Sequence, residues 1–342
     1  MIHSSDLFLR NCAGEVTAQK PVWIMRQAGR YLTEYKEVRS RFPSFIDFYK
    51  NPEACCEVTM QPLEKFGLDA AILFSDILTL LPPLGLDLEF VPGKGPVVSN
   101  PLRTLEDAQN LKKVSVENDL WFVAEAVKLI TKKLDSRLPL LGFAGGPLTV
   151  ASYAIEGGSS KELANTKELL FSNPEAFHLI MDTITTLTIE YLKMQVHFGA
   201  NVLVVMDSWA GHFSIQDYQD SIFPYTQRIF QELKQSVNVP LLHYANGAAH
   251  LLPHLVNLEC HGLGLDWRMS LDQAIQLAPQ KIYQGNLDPC TLYAPDELIT
   301  QKTLEILEKV QNRPHIMNLG HGVLPTTPVR GVHAFLNAIR NH

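Results

Sequence analysis

The chain has 342 residues, with 29 Lys plus Arg against 36 Asp plus Glu and a formal net charge of −7. Hydrophobic residues make up 46% and charged residues 19%, which is ordinary for a globular protein and too apolar for a disordered one. The acidic balance excludes the broad basic surface that nucleic acid or anionic lipid requires, so neither nucleic acid nor a membrane is an expected partner.

The five cysteines, Cys12, Cys55, Cys56, Cys260 and Cys290, are odd in number and show no C-x-x-C spacing. They imply no disulfide framework and fit a reducing compartment. Residues 1–10 lack the basic-then-apolar pattern of a signal peptide. The most apolar stretch, residues 77–86, is interrupted by Pro82 and Pro83 and falls short of the about 20 residues that a membrane span needs. A cytoplasmic protein is expected.

In chain order, eight short apolar runs each end at a polar or glycine-rich corner. They are residues 21–25, 70–74, 138–143, 202–206, 240–244, 262–265, 281–284 and 315–318. Runs that are apolar on both faces and bounded by turn residues suit buried parallel strands. Between them lie helical patterns at 52–66, 118–134, 174–198, 271–277, 296–310 and 328–339, the first with Asn51 as its N-cap. Residues 86–101, with Pro92-Gly-Lys-Gly-Pro96 at the centre, read as a hairpin inserted after the second strand. Length alone allows one large domain or two small ones. The alternation of strand and helix to the end predicts a single domain over 1–342, a closed (β/α)₈ TIM barrel, with a doubly wound open sheet as the competing topology.

Barrel enzymes build their sites where strands end at the C-terminal rim. Here that rim would collect Arg26, Asp76, residues 145–147, Ser208, Asn246, Asp266, Asn286 and His321. Arg26 and Arg30 stand four apart and can grip carboxylates or phosphates, with Gln27 between them. The competing reading pairs them with Glu34 or Glu37 on the surface. Asp76 follows a strongly apolar run, so its carboxylate needs a cation, an N–H donor or a ligand.

Other motifs carry less. Gly142-Phe-Ala-Gly-Gly-Pro-Leu-Thr149 lacks both G-x-G-x-x-G and the Walker lysine, and Gly93-Lys-Gly95 has the wrong spacing, so a nucleotide site is unsupported. His250 and His254, with Cys260 and His261 nearby, offer the spacing of zinc ligands. Pro253 interrupts that segment and no cysteine pair completes the set, which favours histidines on the outer side of a barrel helix. Ser208 does not sit in a nucleophile elbow and is read as a hydrogen-bonding group. His321, between Gly320 and Gly322, is either a proton donor or anion contact, or a structural cap.

The segment Pro21-Val-Trp-Ile-Met-Arg-Gln-Ala-Gly-Arg-Tyr-Leu32 resembles the N-terminal signature of uroporphyrinogen decarboxylases. Residues 142–158, including Tyr153-Ala-Ile-Glu-Gly-Gly158, resemble their second signature. Further similar segments follow in the family's order: Leu68-Asp-Ala-Ala-Ile-Leu-Phe-Ser-Asp-Ile77, Asp207-Ser-Trp-Ala-Gly-His212, Gly264-Leu-Asp-Trp267, Gln284-Gly-Asn-Leu-Asp-Pro289 and Asn318-Leu-Gly-His-Gly322. Thr33, where the family usually has proline, and Leu148, where an aromatic is common, depart from the pattern at positions with no assigned chemistry.

The resemblance implies a single barrel that works without a cofactor or metal, usually as a homodimer, and removes CO₂ from the four acetate arms of a tetrapyrrole. By motif it implies substrate contacts from Arg26, Gln27, Arg30, Asp76, Tyr153, Ser208 and His321, with Asp76, Arg26 and His321 nearest the chemistry. Asp76 would accept the pyrrole N–H groups at the ring centre, the arginines and His321 would hold peripheral carboxylates, and Tyr153 and Ser208 would add neutral hydrogen bonds. Two other classes share parts of the pattern. One is a zinc-dependent barrel methyltransferase, which has no role for Arg26 and Arg30. The other is a tetrapyrrole carrier that binds without releasing CO₂.

Overall fold

A computed structural model describes residues 6–342. Its main sheet has seven parallel strands: β1 (Ala71–Ile72), then, after the hairpin strands β2 (Leu88–Val91) and β3 (Gly95–Val98), β4 (Leu140–Gly145), β5 (Val202–Asp207), β6 (Leu241–Ala245), β7 (Gly262–Gly264), β8 (Ile282–Gln284) and β9 (His315–Ile316). Their order in the sheet is β1-β4-β5-β6-β7-β8-β9, so each new strand is added beside the last. Every residue of β4, β5 and β6 is buried. Helices cover the outer face and neighbouring side chains fill the inner one, which is why these strands read as unbroken apolar runs.

The first apolar run departs from the expectation of a regular strand. Only Val22 makes a ladder contact, a parallel bridge to Met317, with Trp23 N donating to Met317 O and Met317 N to Pro21 O. On its other side Asp69 N donates to Val22 O at 2.9 Å, and the Asp69 carboxylate accepts from Val22 N at 2.7 Å. The run cannot extend because the backbone turns at Arg26, whose φ is 63°. The 21–25 segment nevertheless bonds to β9 on one side and to the entry of β1 on the other.

Helices start where the sequence supplies caps. The Asn51 side chain accepts from Ala54 N at the start of Pro52–Phe66, and Gly67 ends that helix in the left-handed region. Asn173 caps Pro174–His197 in the same way. That long helix is pinned to β4 by Gln195, whose amide exchanges two 2.9 Å bonds with the Phe143 backbone. The pattern at 118–134 resolves into two helices, Val116–Asp119 and Trp121–Leu134, because the chain leaves helical geometry at the fully buried Leu120. The hairpin forms as expected, with Leu88 opposite Val98, and Pro92-Gly93-Lys94 is its turn. Among the described residues no helix is long and apolar enough to cross a membrane.

Candidate active site

Four strand ends deliver the candidate residues to one rim. Arg26 follows the first run, Asp76 follows β1, Ser208 follows β5 and His321 follows β9. Tyr153 comes from the helix Pro147–Glu156, which springs from β4 at Gly146 with Pro147 in its first turn.

Asp76 lies at the centre. Its residue retains partial exposure, and its Oδ1 accepts from Leu78 N at 2.8 Å. Burial pushes its carboxyl up to about 6, against the downward pull of the Leu78 N–H and of Arg26. The carboxylate raises the phenol pKa values of Tyr35, Tyr49, Tyr153 and Tyr191, so these four phenols lie within its electrostatic reach. The Asp76 carbonyl accepts from Thr79 Oγ1 at 2.6 Å and from Thr79 N at 3.2 Å, which fixes the turn that presents the carboxylate.

Arg26 and Arg30 are both exposed, and neither guanidinium makes a hydrogen bond or ion pair with any described residue. The surface pairing weighed for them is absent, because Glu34 pairs with Lys65 at 2.9 Å. Arg26 occupies the left-handed region, a strained conformation for a residue with a side chain and one that clusters at functional sites. Its side chain lies against Gly322, where an added Cβ would overlap Arg26 Cδ.

Gln27, expected from the resemblance as a substrate contact, turns its side chain into the fold. Its side chain is buried, with Oε1 accepting from Ile24 N at 3.2 Å and Nε2 donating to Ala70 O at 3.2 Å. Turning inward gives each end of the amide a backbone partner and ties the first run to the residue before β1, which supports the turn that carries Arg26.

His321 is half-buried, near Tyr244 and Trp267 at ring distances of 6.1 and 6.3 Å. Its Nδ1 faces Gly322 N at 2.6 Å. An N–H can only donate, so Nδ1 accepts and the neutral ring carries its proton on Nε2. Burial, then the nearby Arg26 and Arg268 cations, pulls His321 down to about 4. A neutral Nε2–H is a hydrogen-bond donor and a poor acid, which favours the anion-contact reading of His321 over the proton-donor reading.

Ser208 is half-buried, and its N–H donates to Thr149 Oγ1 at 2.8 Å, while that hydroxyl donates to the buried Asp207 at 2.6 Å. The Ser208 hydroxyl makes no bond to a described residue. Tyr153 packs edge-on against Trp209 at 5.6 Å. Asp266 and Asn286 also follow strands here but are occupied internally: Asp266 accepts from Gly247 N and Arg268, and Asn286 donates to Asp266 O and Met269 O, whereas the Asn246 side chain only accepts from the Tyr244 hydroxyl at 3.4 Å.

The zinc set weighed from sequence does not converge. His250 Nε2 contacts Phe213 O at 2.9 Å, His261 Nδ1 accepts from Leu241 N at 3.0 Å, and Cys260 Sγ lies 3.9 Å from Lys281 Nζ. Among the described residues no group of three His, Cys, Asp or Glu is placed to hold a metal ion.

With this geometry in place, comparison with known proteins decides the family. The sequence model described as "Uroporphyrinogen decarboxylase (URO-D)" matches residues 3–342. The chain belongs to the uroporphyrinogen decarboxylase family. A curated relative of that name from Carboxydothermus hydrogenoformans is 44% identical over 98% of this chain and 96% of its own. Another, from Coxiella burnetii, is 40% identical over 98% of this chain and 95% of its own. Among solved structures, a methyltransferase from Methanosarcina mazei superposes with a TM-score of 0.80 at 21% identity, covering 98% of each chain. That likeness bears on the fold alone: an α/β architecture with a curled parallel sheet, shared by enzymes of different chemistry.

Sequence reasoning gives no role to three features of this rim. The four phenols within the electrostatic reach of Asp76 come from residues far apart in sequence, so no motif announces them. The Thr149–Asp207 bond under Ser208 joins two of the resemblance segments. Arg268 follows directly on Gly264-Leu-Asp-Trp267 and becomes visible as a rim cation only when its side chain is placed.

Proposed function

We propose that this chain decarboxylates the acetate arms of uroporphyrinogen to methyl groups, giving coproporphyrinogen and CO₂. The observation that carries the reading is a partly open carboxylate, Asp76, within the electrostatic reach of the free Arg26 guanidinium on a chain of this family. The substrate is a flexible macrocycle with inward-facing pyrrole N–H groups and eight peripheral carboxylates. Asp76 accepts the N–H groups at the centre. Arg26, Arg30 and the Nε2–H of His321 hold carboxylates at the edge, and the hydroxyls of Tyr153 and Ser208 add neutral bonds.

The electron sink is the substrate's own pyrrole. Protonating the ring carbon beside an acetate arm gives a cationic iminium. The C–C bond to the carboxylate then breaks, CO₂ leaves, and its electron pair neutralises the ring as an exocyclic methylene. A second proton on that carbon makes the methyl group, and loss of the first proton from the ring carbon restores the neutral pyrrole. Asp76 supplies the anion beside the cation in a site of low dielectric. The first proton originates as a solvent proton and reaches the ring carbon on the Arg26 side of the site, since a guanidinium is itself a very weak acid and the His321 ring is neutral; each arm then consumes one proton overall.

We read residues 1–342 as one domain in which the sheet closes into a (β/α)₈ barrel. The bonds of the 21–25 run to Met317 on one side and to Asp69 on the other support that closure. A cytoplasmic homodimer accompanies this reading through the family resemblance, and sedimentation of the purified protein tests the dimer.

The deciding experiment is incubation with uroporphyrinogen under anaerobic, reducing conditions, followed by separation of porphyrins by carboxyl count. Stepwise appearance of species with seven to four carboxylates is expected. Bound substrate that keeps all eight would instead establish a carrier. Replacing Arg30 with Met removes a free cation without disturbing any bond in the fold. KM is expected to rise about tenfold, the scale of one hydrogen bond to a charged group, and unchanged KM and kcat would remove Arg30 from the site.

A further inference from the structure

We propose that Arg268 forms a further carboxylate-binding subsite on the rim, beyond Arg26, Arg30 and His321; the inference rests on the decarboxylase reading for the identity of the ligand. Arg268 is held in place on two sides. Its guanidinium carbon lies 3.9 Å from the centroid of the Trp267 ring. Its Nη1 bonds to Asp266 Oδ2 at 3.2 Å, and its backbone N–H donates to Asp266 Oδ1 at 2.7 Å. Asp266 is fully buried and is itself fixed by Gly247 N. The Arg268 side chain is nonetheless half exposed.

A guanidinium has five N–H donors. Arg268 spends one on Asp266, and its remaining side-chain N–H groups have no partner among the described residues. Stacking on an aromatic face leaves the edges of the planar fork free to receive a carboxylate side by side. The freedom a flexible arginine would lose on binding is already given up here, which favours affinity.

Position assigns the ligand. Trp267 lies beside His321, and the electrostatic influence of both Arg26 and Arg268 reaches His321 and Tyr244. Arg268 therefore extends the row Arg26–His321 along the rim, where a substrate with carboxylates spaced around its edge needs successive anchors. The competing role is confined to the fold: neutralising Asp266.

Replacing Arg268 with Gln separates the two, because the amide can still donate to Asp266 while the charge and the fork are lost. The probe is uroporphyrin, the oxidised, fluorescent octacarboxylate, titrated against wild type and variant, with KM and kcat for uroporphyrinogen measured in parallel. The subsite predicts that the uroporphyrin Kd and the KM rise about ten- to a hundredfold, with kcat nearly unchanged and a shallower fall of kcat/KM with added salt. A fold-only role predicts a lower melting temperature with Kd and KM unchanged, and that result overturns the proposal. If Arg268→Gln does not fold, Arg268→Lys decides. It keeps the charge without the fork, and a Kd raised about threefold or more supports the subsite, while an unchanged Kd overturns it. Absence of turnover by the wild type would sink the decarboxylase reading without touching the Kd comparison, so the two failures are distinguishable.

Discussion

Asp76→Asn should abolish most turnover while leaving the fold intact or slightly more stable. The asparagine keeps Oδ1, and with it the 2.8 Å bond from Leu78 N, so the turn through Thr79 survives. What disappears is the negative charge beside the cationic ring. Removing one preorganised electrostatic group costs on the order of 10²-fold or more in kcat, and near-normal turnover would refute the cation-stabilising role. Stability moves the other way. A carboxyl raised to about 6 in the folded protein from an ordinary 3.8 binds its proton more tightly folded than unfolded. Its contribution is therefore fully present below about 3.8 and lost as pH rises through about 6. At pH 8 the wild type bears the full cost of a buried anion and the variant bears none, so a lower melting temperature for Asp76→Asn would contradict this account.

The same value sets a pH profile. The dependence of kcat/KM on pH reports groups of the free protein, and the ionised form of Asp76 is the one that stabilises the cation. The acid limb of kcat/KM should fall through about pH 6. Arg26 faces Asp76 and holds the value down, while the surrounding tyrosines stay neutral throughout this range. His321, at about 4, would place the limb two units lower if it were the controlling group. A limb near 6 that vanishes in Asp76→Asn, whatever activity remains, identifies the carboxylate.

Much of this was legible in the sequence because strand order and rim position follow from one pattern. Apolar runs buried on both faces mark β4, β5 and β6, and the residue after each run falls on the rim by construction. Asp76, Ser208 and His321 are rim candidates on that rule. Gln27 shows where the rule fails. Its position beside Arg26 suggests exposure, but the left-handed turn at Arg26 reverses the chain and sends the next side chain inward, and sequence spacing does not reveal a reversal set by a single dihedral. The regularity of the first strand was overestimated for the same reason. The phenols around Asp76 and the stack of Arg268 on Trp267 are contacts between distant segments or between side-chain planes, and hydropathy carries no signal for either. At 250–261 the missing ligands outweigh the zinc-like spacing, and His250, Cys260 and His261 each find a separate partner in the fold.

Asp69→Ala should be the most damaging single change to stability at the seam where the chain's first apolar run meets its last helix. The Asp69 side chain is buried and accepts from Val22 N at 2.7 Å and from Arg340 Nη2 at 2.9 Å, and Arg340 also donates to Gly67 O at 2.8 Å. One carboxylate thus joins the first run, the entry to β1 and the helix Val329–Arg340. Truncation leaves a backbone N–H without its acceptor and a largely buried guanidinium without its counter-charge. Removing one partner of such a pair costs about 3–5 kcal/mol, a large share of the roughly 5–15 kcal/mol that holds a typical domain together. In urea the midpoint should fall with little change in slope, as it does when stability changes and the surface exposed does not. Asp69→Asn, which keeps an acceptor for Val22 N, should lie between wild type and Asp69→Ala. Activity should fall in the same order, because the segment released from Asp69 is the one that carries Arg26 to the rim. A variant with an unchanged midpoint would mean that the bonds of Pro21 and Trp23 to Met317 secure the first run without Asp69, and the closure inferred for the barrel would then depend on one side of that run alone.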